Sequence, residues 1–338
     1  AHPRRMGEAR HEMLGGQGRA ARHVAKATRP PGAAGILRRV TDTPRPGTLA
    51  PFVLVVAVFA ISTAAPIVRL AGTPPLVIAT WRLGLSVLVV GGLAVAGGGW
   101  RQWRGLSRRD LLVAVAAGVA LAIHFWAWIA SIGLTSVAAS VVLVNLQPVI
   151  VAAGSAWWLR ERPSSGQWAG VALAVVGAGV VGLGDGVLAG LAESGRNPAL
   201  GNALAVLGAV TAALYYLAGR HLRARLDLWP YTALVYGACF VVLLVAALVR
   251  QEPVWPVAGR ELGLYAALAA GPMLLGHTGL NWALRHLPAY VVNLTVLGEP
   301  IGATLLAWLV PAIGEPPTSA ALVGGGLVLA GAIRAARR

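Results

Sequence analysis

Ten transmembrane helices, arranged as two inverted five-helix repeats in an all-α integral membrane protein, are the fold this sequence predicts. Three observations lead there. The 338-residue chain is 57% apolar and only 12% charged, with a mean hydropathy of +0.70, whereas soluble domains carry roughly a quarter charged residues. From Ala50 onward it runs in apolar stretches near the ~20 residues needed to cross a ~30 Å hydrocarbon layer. One phrase is written twice inside them. His124, Pro148, Glu161 and Gly170 are separated by 24, 13 and 9 residues, and His277, Pro300, Glu315 and Gly324 by 23, 15 and 9. Such a duplication in an apolar chain is the mark of two halves that meet around a central site.

Taken in order, residues 1–48 hold ten Lys/Arg, with Gly and Pro and no sustained apolar period. They read as a disordered basic cytoplasmic arm, without the apolar core of a cleavable signal. Residue 1 is Ala, with Met6 and Met13 downstream, so the natural start is left open. The first span, 50–69, carries Ala65-Pro66; the second, 76–97, carries Trp81-Arg82; the third, 111–131, carries His124. The fourth, 135–159, contains Asn145 and Gln147-Pro148 and stops at Glu161-Arg-Pro163. The fifth, 167–184, is small-residue rich and closes a first half at 49–185. The sixth, 199–219, holds Tyr215-Tyr216 and opens a second half at 199–336. The seventh, 229–249, holds the lone Cys239; the eighth, 262–284, holds His277 and Asn281. The ninth, 289–312, contains Asn293 and Glu299-Pro300 and stops at Glu315-Pro-Pro, and the tenth, 318–335, contains Gly324. Because five is odd, the second half enters the membrane from the opposite side.

The formal charge of +16 does not point to nucleic acid, because its placement follows topology. Arg101, Arg104, Arg108 and Arg109 follow span 2, Arg160 and Arg162 follow span 4, and Arg220, Arg223 and Arg225 follow span 6. Arg285 follows span 8, and Arg334, Arg337 and Arg338 follow span 10, while the opposite loops carry only Arg69, Arg196, Arg250 and Arg260. By the positive-inside rule both termini are cytoplasmic, in a multi-pass protein of the cell membrane. A single cysteine allows neither a disulfide framework nor a cysteine-rich metal site, and no cofactor is called for.

Several of these residues resemble a known family. Ala65-Pro66-Ile-Val-Arg69, Trp81-Arg82, His124-Phe-Trp-Ala-Trp, Ser136-Val-Ala-Ala-Ser140, Gln147-Pro148 and Gly170 look like the first half of an EamA-domain transporter of the drug/metabolite transporter superfamily. Gly276-His277-Thr278, Asn281, Leu297-Gly-Glu299-Pro300, Glu315 and Gly324 are similar to the second repeat. The resemblance implies a permease for small metabolites, amino acids or drug-like compounds, many such proteins being exporters, with alternating access about a cavity lined by spans 1, 3, 4, 6, 8 and 9. It names no substrate.

Glu299 is the sharpest candidate: a carboxylate near the bilayer midplane marks a functional site by default. Pro300 removes a backbone donor and opens the helix beside it, so the acid can hold a cation, a proton or a substrate amine, or serve as interhelical glue. Gln147-Pro148 occupies the matching place in the first half, with an amide in place of the acid. Asn145 and Asn293 lie at similar depth. His124, sharing a face with Trp128 and Ser131, and His277, sharing one with Asn281, are candidates for cargo contact, and His277 with Glu299 for proton coupling; backbone-bonded packing is the alternative. A metal site is not expected, because nearby thiol and carboxylate ligands are missing. Buried Arg82 must pair with an acid, carbonyls or an anionic cargo group, beside Trp81. Tyr216 can wall a cavity. The expected partners are a small-molecule substrate and the lipid bilayer, without nucleic acid, and homodimerisation is left open. A translocase of lipid or lipid-linked headgroups, a membrane enzyme or a scaffold are the other classes; an enzyme would show a cluster of acids, His or Ser at one interface, and none is seen.

Overall fold

The computed structural model of the chain describes residues 46–160, 163–190, 197–316 and 319–336. The basic arm, apart from its last residues, and Glu161 lie outside them. All regular structure among the described residues is helical. The first span is broken into α1 (Pro46–Ser62) and α2 (Ala64–Leu70), where the sequence suggested one run. Pro66 offers no N–H to the Ser62 carbonyl, and the Ser62 and Thr63 hydroxyls turn back to donate to the Val58 and Ala60 carbonyls at 2.8 and 2.7 Å. Helix α3 (Pro75–Ala96) begins on a proline that needs no intrahelical donor and is capped by Gly97, and Gly98 beyond it turns left-handed with a φ of 66°. A 3₁₀ turn, Gly99–Gly105, follows, and there Arg104 and Arg101 lie 4.9 and 5.6 Å from the Trp100 ring. This is a Trp/Arg anchor of the kind that settles at a membrane interface.

Helix α4 (Arg108–Leu134) is capped by Ser107, whose hydroxyl accepts from the Asp110 N–H at 3.1 Å. The fourth span is α5 (Val137–Val144) and α6 (Gln147–Gly154), ending in a π turn at Ser155–Leu159. The fifth is α7 (Ser165–Gly190). In the second half, α8 is Pro198–Arg223 and α9 is Leu228–Val249. The eighth span is α10 (Gly259–Leu268), a π-helical stretch at Ala269–His277 containing Pro272, and α11 (Thr278–Ala283). The ninth is α12 (Ala289–Val296) and α13 (Glu299–Leu309), and the last is α14 (Ser319–Ala336). Seven of these ten segments are long and apolar enough to cross a membrane. The other three, α7, the broken eighth span and α14, are helical at the places expected for spans five, eight and ten.

Two repeats are visible in the packing. Helix α12 packs on α6 while α13 packs on α5, so the fourth and ninth spans, each interrupted at its centre, cross antiparallel. Corresponding helices also meet as the pairs α3 with α9 and α7 with α14. Close approach depends on missing side chains. A Cβ on Gly118 would lie 2.5 Å from the Ala238 Cβ and 2.8 Å from the Val235 carbonyl, which fixes how tightly α4 sits on α9. Phe52, Val55, Phe59, Leu88, Leu112 and Leu309 are exposed and give the bundle the apolar jacket that a lipid solvent requires.

Polar contacts at the helix ends sort into two faces. On one, Arg69 Nη2 pairs with Glu315 Oε1 at 2.7 Å, its Nη1 donates to the Ile132 carbonyl at 2.7 Å, and Arg260 pairs with Glu261 at 2.9 Å. On the other, Arg225 and His221 reach Asp110 at 2.6 and 3.4 Å, and Arg285 pairs with Asp227. Two residues expected only as topology signals or helix stops do more. Arg223 is buried, donating from Nε to the Asn281 carbonyl at 3.1 Å and from Nη1 to the Leu226 carbonyl, and so serves carbonyls that a helix end leaves without partners. Glu315 joins the end of the ninth span to the end of the first.

Candidate functional site

The paired helix breaks put the polar residues of both halves in one place. Asn145-Leu146 interrupts the fourth span and Leu297-Gly298 the ninth, and each next segment starts with an acid or amide followed by proline, Gln147-Pro148 and Glu299-Pro300. Where the two breaks cross, Asn145 Nδ2 donates to Glu299 Oε2 at 3.3 Å and Gln147 Nε2 donates to Asn293 Oδ1 at 3.1 Å. The bonds run between halves, so the site exists only when the repeats are assembled.

A buried cavity sits against this crossing, lined by Ile61, Ala64, Arg82, His124, Trp128, Val144, Asn145, Gln147, Tyr216, His277, Val296 and Glu299. Eight of the eleven residues singled out in the sequence as substrate contacts meet there. Spans 1, 3, 4, 6, 8 and 9 contribute as the resemblance implied, and span 2 joins them through Arg82. At about 30 Å³ the space is that of about one water. The matched histidines face one another, with ring centroids 6.3 Å apart. His124 Nδ1 lies 3.0 Å from the Gly208 carbonyl, which can only accept, so Nδ1 carries the proton and the ring is held by backbone. Trp128 stacks on His124 at 6.3 Å with an interplanar angle of 2°, and Tyr216 stacks on His277 at 6.5 Å.

The polar groups here are unevenly satisfied. Arg82 is 1% exposed, and its guanidinium lies 4.1 Å from the centre of the Phe125 ring. Its Nε and Nη1, the Trp128 Nε1 and the Asn145 Oδ1 have no hydrogen-bond partner among the described residues. Arg82 and Glu299 feel each other electrostatically but form no direct ion pair among the described residues.

Three candidates fall outside the cavity lining. Trp81 turns to the Arg69 face, where its Nε1 donates to the Val254 carbonyl at 3.0 Å and its ring stacks near Trp255 and Tyr265 at 6.0 and 6.2 Å. Helical neighbours point in different directions, so adjacency to Arg82 was no guide. Asn281 donates to the hydroxyls of Tyr215 and Tyr236, the second at 3.2 Å. His277 caps α11, so Asn281 lies one α-helical turn beyond it and meets the same side chain, Tyr215, whose ring is 6.4 Å from that of His277, yet it stands past the cavity lining rather than in it. Asn293 stands behind the lining and reaches it through Gln147. Phe125, the seat of Arg82, has no polar group to mark it in the sequence, where its place between His124 and Trp126 is its one signal. The Tyr236–Thr278 contact at 3.2 Å was hidden because the π-helical stretch shifts residues 269–277 off the α-helical register.

A model of the EamA-like transporter family matches residues 48–183 and again 199–336. The chain belongs to the EamA-like transporter family. As an EamA-like protein it is a multi-pass membrane transporter of the drug/metabolite type. A curated relative from Streptantibioticus cattleyicolor, described as a "Probable terminal-alkyne amino-acid exporter", is 30% identical over 202 residues, covering 58% of this chain and 63% of that protein. The match therefore spans less than two thirds of the relative's length. A solved crystal structure superposes with a TM-score of 0.66 at 21% identity, covering 86% of this chain and 96% of the other, which shows the EamA-like fold alone.

Proposed function

We propose that this protein is a small-molecule exporter that works by alternating access, passing cargo through the cavity at the crossing of the fourth and ninth spans. The observation that carries the reading is the convergence of Arg82, His124, Gln147, His277 and Glu299, drawn from both repeats, on one buried space. Buried ionisable groups are expensive inside a membrane protein and are kept where cargo or ions pass. In this reading the two repeats, 49–185 and 199–336, rock about this point. The face bearing Asp110, Arg225 and Arg285 is cytoplasmic, by the placement of positive charge, and both termini lie on that side of the cell membrane.

Access from the other face is closed by the Arg69–Glu315 pair. A vestibule of about 370 Å³ lies there, lined by Val68, Arg69, Thr73, Ile78, Ile129 and Ile132 among others. Arg69, part of its lining, is tied to the third span through Ile132 and to the loop after the ninth through Glu315. Opening toward the outside breaks this tie; opening toward the cytoplasm breaks the Asp110 and Asp227 pairs. Protonation of Glu299, with His277 near it, is the route by which a proton gradient would drive the cycle. The cargo is a small metabolite, amino acid or drug-like compound rather than a nucleic acid, and the chemistry is transport rather than catalysis.

The reading is tested by purifying the chain, reconstituting it in liposomes and measuring flux of a panel of amino acids and amphipathic metabolites, with and without a pH gradient. Flux above protein-free vesicles supports it. A folded, oriented protein that moves no member of the panel sinks it. Cysteines placed at Gly105 and Gln251 should react from opposite sides of the membrane; reaction from one side would overturn the inverted arrangement.

A further inference from the structure

The loop between the second and third spans carries more positive charge than its own fold uses. Arg101, Arg104, Arg108 and Arg109 are all exposed, and their side chains have no hydrogen bond or ion pair among the described residues. Other arginines of this face are occupied. Arg225 holds Asp110, Arg285 holds Asp227, and Arg220 and Arg223 donate to the Leu284 and Asn281 carbonyls. Arg101 and Arg104 instead lie on the Trp100 ring, a contact that uses the π face of a guanidinium and leaves its N–H edge for an acceptor. Apolar surface adjoins the charge. Leu93 and Val95 of α3 and Leu111 and Leu112 of α4 are exposed, and Arg108 stands one helical turn from the last two. The loop is also held firmly on the bundle: Trp103 Nε1 donates to the Pro230 carbonyl at 3.0 Å, and Gln102 and Asp227 exchange two hydrogen bonds at 2.7 and 2.9 Å.

We propose that this loop binds an anionic phospholipid of the cytoplasmic leaflet, with its phosphate on Arg101, Arg104, Arg108 and Arg109 and its acyl chains along the exposed sides of α3 and α4. The leaflet is the one assigned to this face above. Phosphate oxygens match the forked donors of a guanidinium, and basic segments beside a span are drawn to anionic lipid. A zwitterionic lipid brings its own cation and leaves the loop charge uncompensated; a free phosphate has nothing to lay on the leucines. The site also touches both acids of the cytoplasmic gate. Gln102 holds Asp227, and Ser107 donates to Asp110 Oδ2 at 2.7 Å while accepting from its N–H at 3.1 Å. A lipid on the arginines braces these acids while Arg225 and Arg285 leave and return, so flux depends on anionic lipid. That consequence rests on the transport reading; the binding does not.

The test is displacement of a fluorescently labelled phosphatidylglycerol from the full-length protein in detergent. Unlabelled phosphatidylglycerol should compete roughly tenfold or more better than phosphatidylcholine of the same chains, and the preference should shrink as salt is raised. Arg101→Gln with Arg104→Gln should weaken phosphatidylglycerol roughly 30-fold, about fivefold for each arginine. Arg160→Gln with Arg334→Gln, which removes the same charge from the same face elsewhere, should change it by less than about twofold, since distant charges are screened. Melting temperature shows whether each variant is folded, and Arg108→Gln with Arg109→Gln, expected to lose as much, is the readout if the first pair is not. Equal competition by the two lipids overturns the site, as does a folded loop variant with wild-type affinity or an equal loss in the control pair. Displacement by glycerol phosphate as effective as by the lipid also overturns it, because the ligand is then a free anion. Flux in liposomes of phosphatidylcholine should rise several-fold when a fifth of the lipid is phosphatidylglycerol, and equal flux overturns the link to the gate. Selective lipid binding by a protein that moves no cargo leaves the site standing and sinks the transport reading; flux without lipid preference does the reverse.

Discussion

Removing Arg69 should bias the transporter toward the state open on the Glu315 face. Arg69 makes two contacts at the face proposed as the outer entrance, one to Glu315 and one to the Ile132 carbonyl, both at 2.7 Å. Its side chain is 15% exposed and that of Glu315 is 32% exposed, so water screens the pair only in part. A hydrogen bond to a charged group contributes about 1.5–3 kcal/mol, and partial exposure moves the ionic contact toward the ~0–1 kcal/mol of a surface pair. Together they favour the closed entrance by about 2 kcal/mol, or roughly 30-fold in the equilibrium between the two states. The reporter is Ala64→Cys in a Cys239→Ala background, since Ala64 lines the central cavity and is buried. A membrane-impermeant maleimide added from the Glu315 face should label it roughly 10–30-fold faster in Arg69→Gln than in Arg69. Glu315→Gln should accelerate labelling by less, because the Ile132 contact survives, and the charge swap of Arg69→Glu with Glu315→Arg should recover part of the closure. Labelling that stays unchanged in Arg69→Gln, or rises equally from both faces, would refute this gate.

Further outcomes are open to simple assays. Gly118→Val should destabilise the detergent-solubilised protein by about 1–3 kcal/mol through overpacking, since even a Cβ would lie 2.5 Å from that of Ala238, whereas Gly91→Ala, with nothing within 4 Å, should leave the melting temperature unchanged. Trp81→Phe should leave cargo flux intact while Trp128→Phe lowers it, because only Trp128 lines the cavity. Arg285, with Gln102, holds the Asp227 carboxyl below its ordinary value. A depressed carboxyl stabilises the fold above its unfolded pKa and loses that contribution as pH falls through the folded one. The stability difference between wild type and Asp227→Asn in thermal melts should therefore be constant above about pH 5 and shrink below about pH 4. It should also be small, because the pair is exposed.

Much of this was legible in the residues, because the physics that governs membrane helices is written in composition. The spans, the doubled His-Pro-Glu-Gly phrase and the charge at helix ends each follow from a rule that acts locally. The two proline positions announced where the fourth and ninth spans break, and the expensive side chains, Arg82, Glu299 and the two histidines, stood out for their cost in an apolar setting. What sequence could not supply was direction. Trp81 and Arg82 are neighbours in the chain yet face different parts of the molecule, and Asn281, one turn past His277, is taken up by Tyr215 and Tyr236 from two other spans, partners that no local spacing names. Glu315 read as a helix stop, since its partner, Arg69, is 246 residues away and no spacing rule spans that distance. Arg223 read as a topology charge because nothing local signals that the end of the eighth span would need its donors.

The central claim is that cargo passes through the cavity at the crossed helix breaks, and flux through Glu299→Gln tests it most directly. This substitution keeps the size of the side chain and an acceptor for Asn145 while deleting the charge. Measured in liposomes at matched protein content, with a wild-type cargo and an imposed pH gradient, Glu299→Gln should retain its fold and lose at least about tenfold of the initial rate, as expected for one lost charge-assisted contact, together with the pH dependence. A folded Glu299→Gln protein with wild-type flux and wild-type pH dependence would contradict the claim.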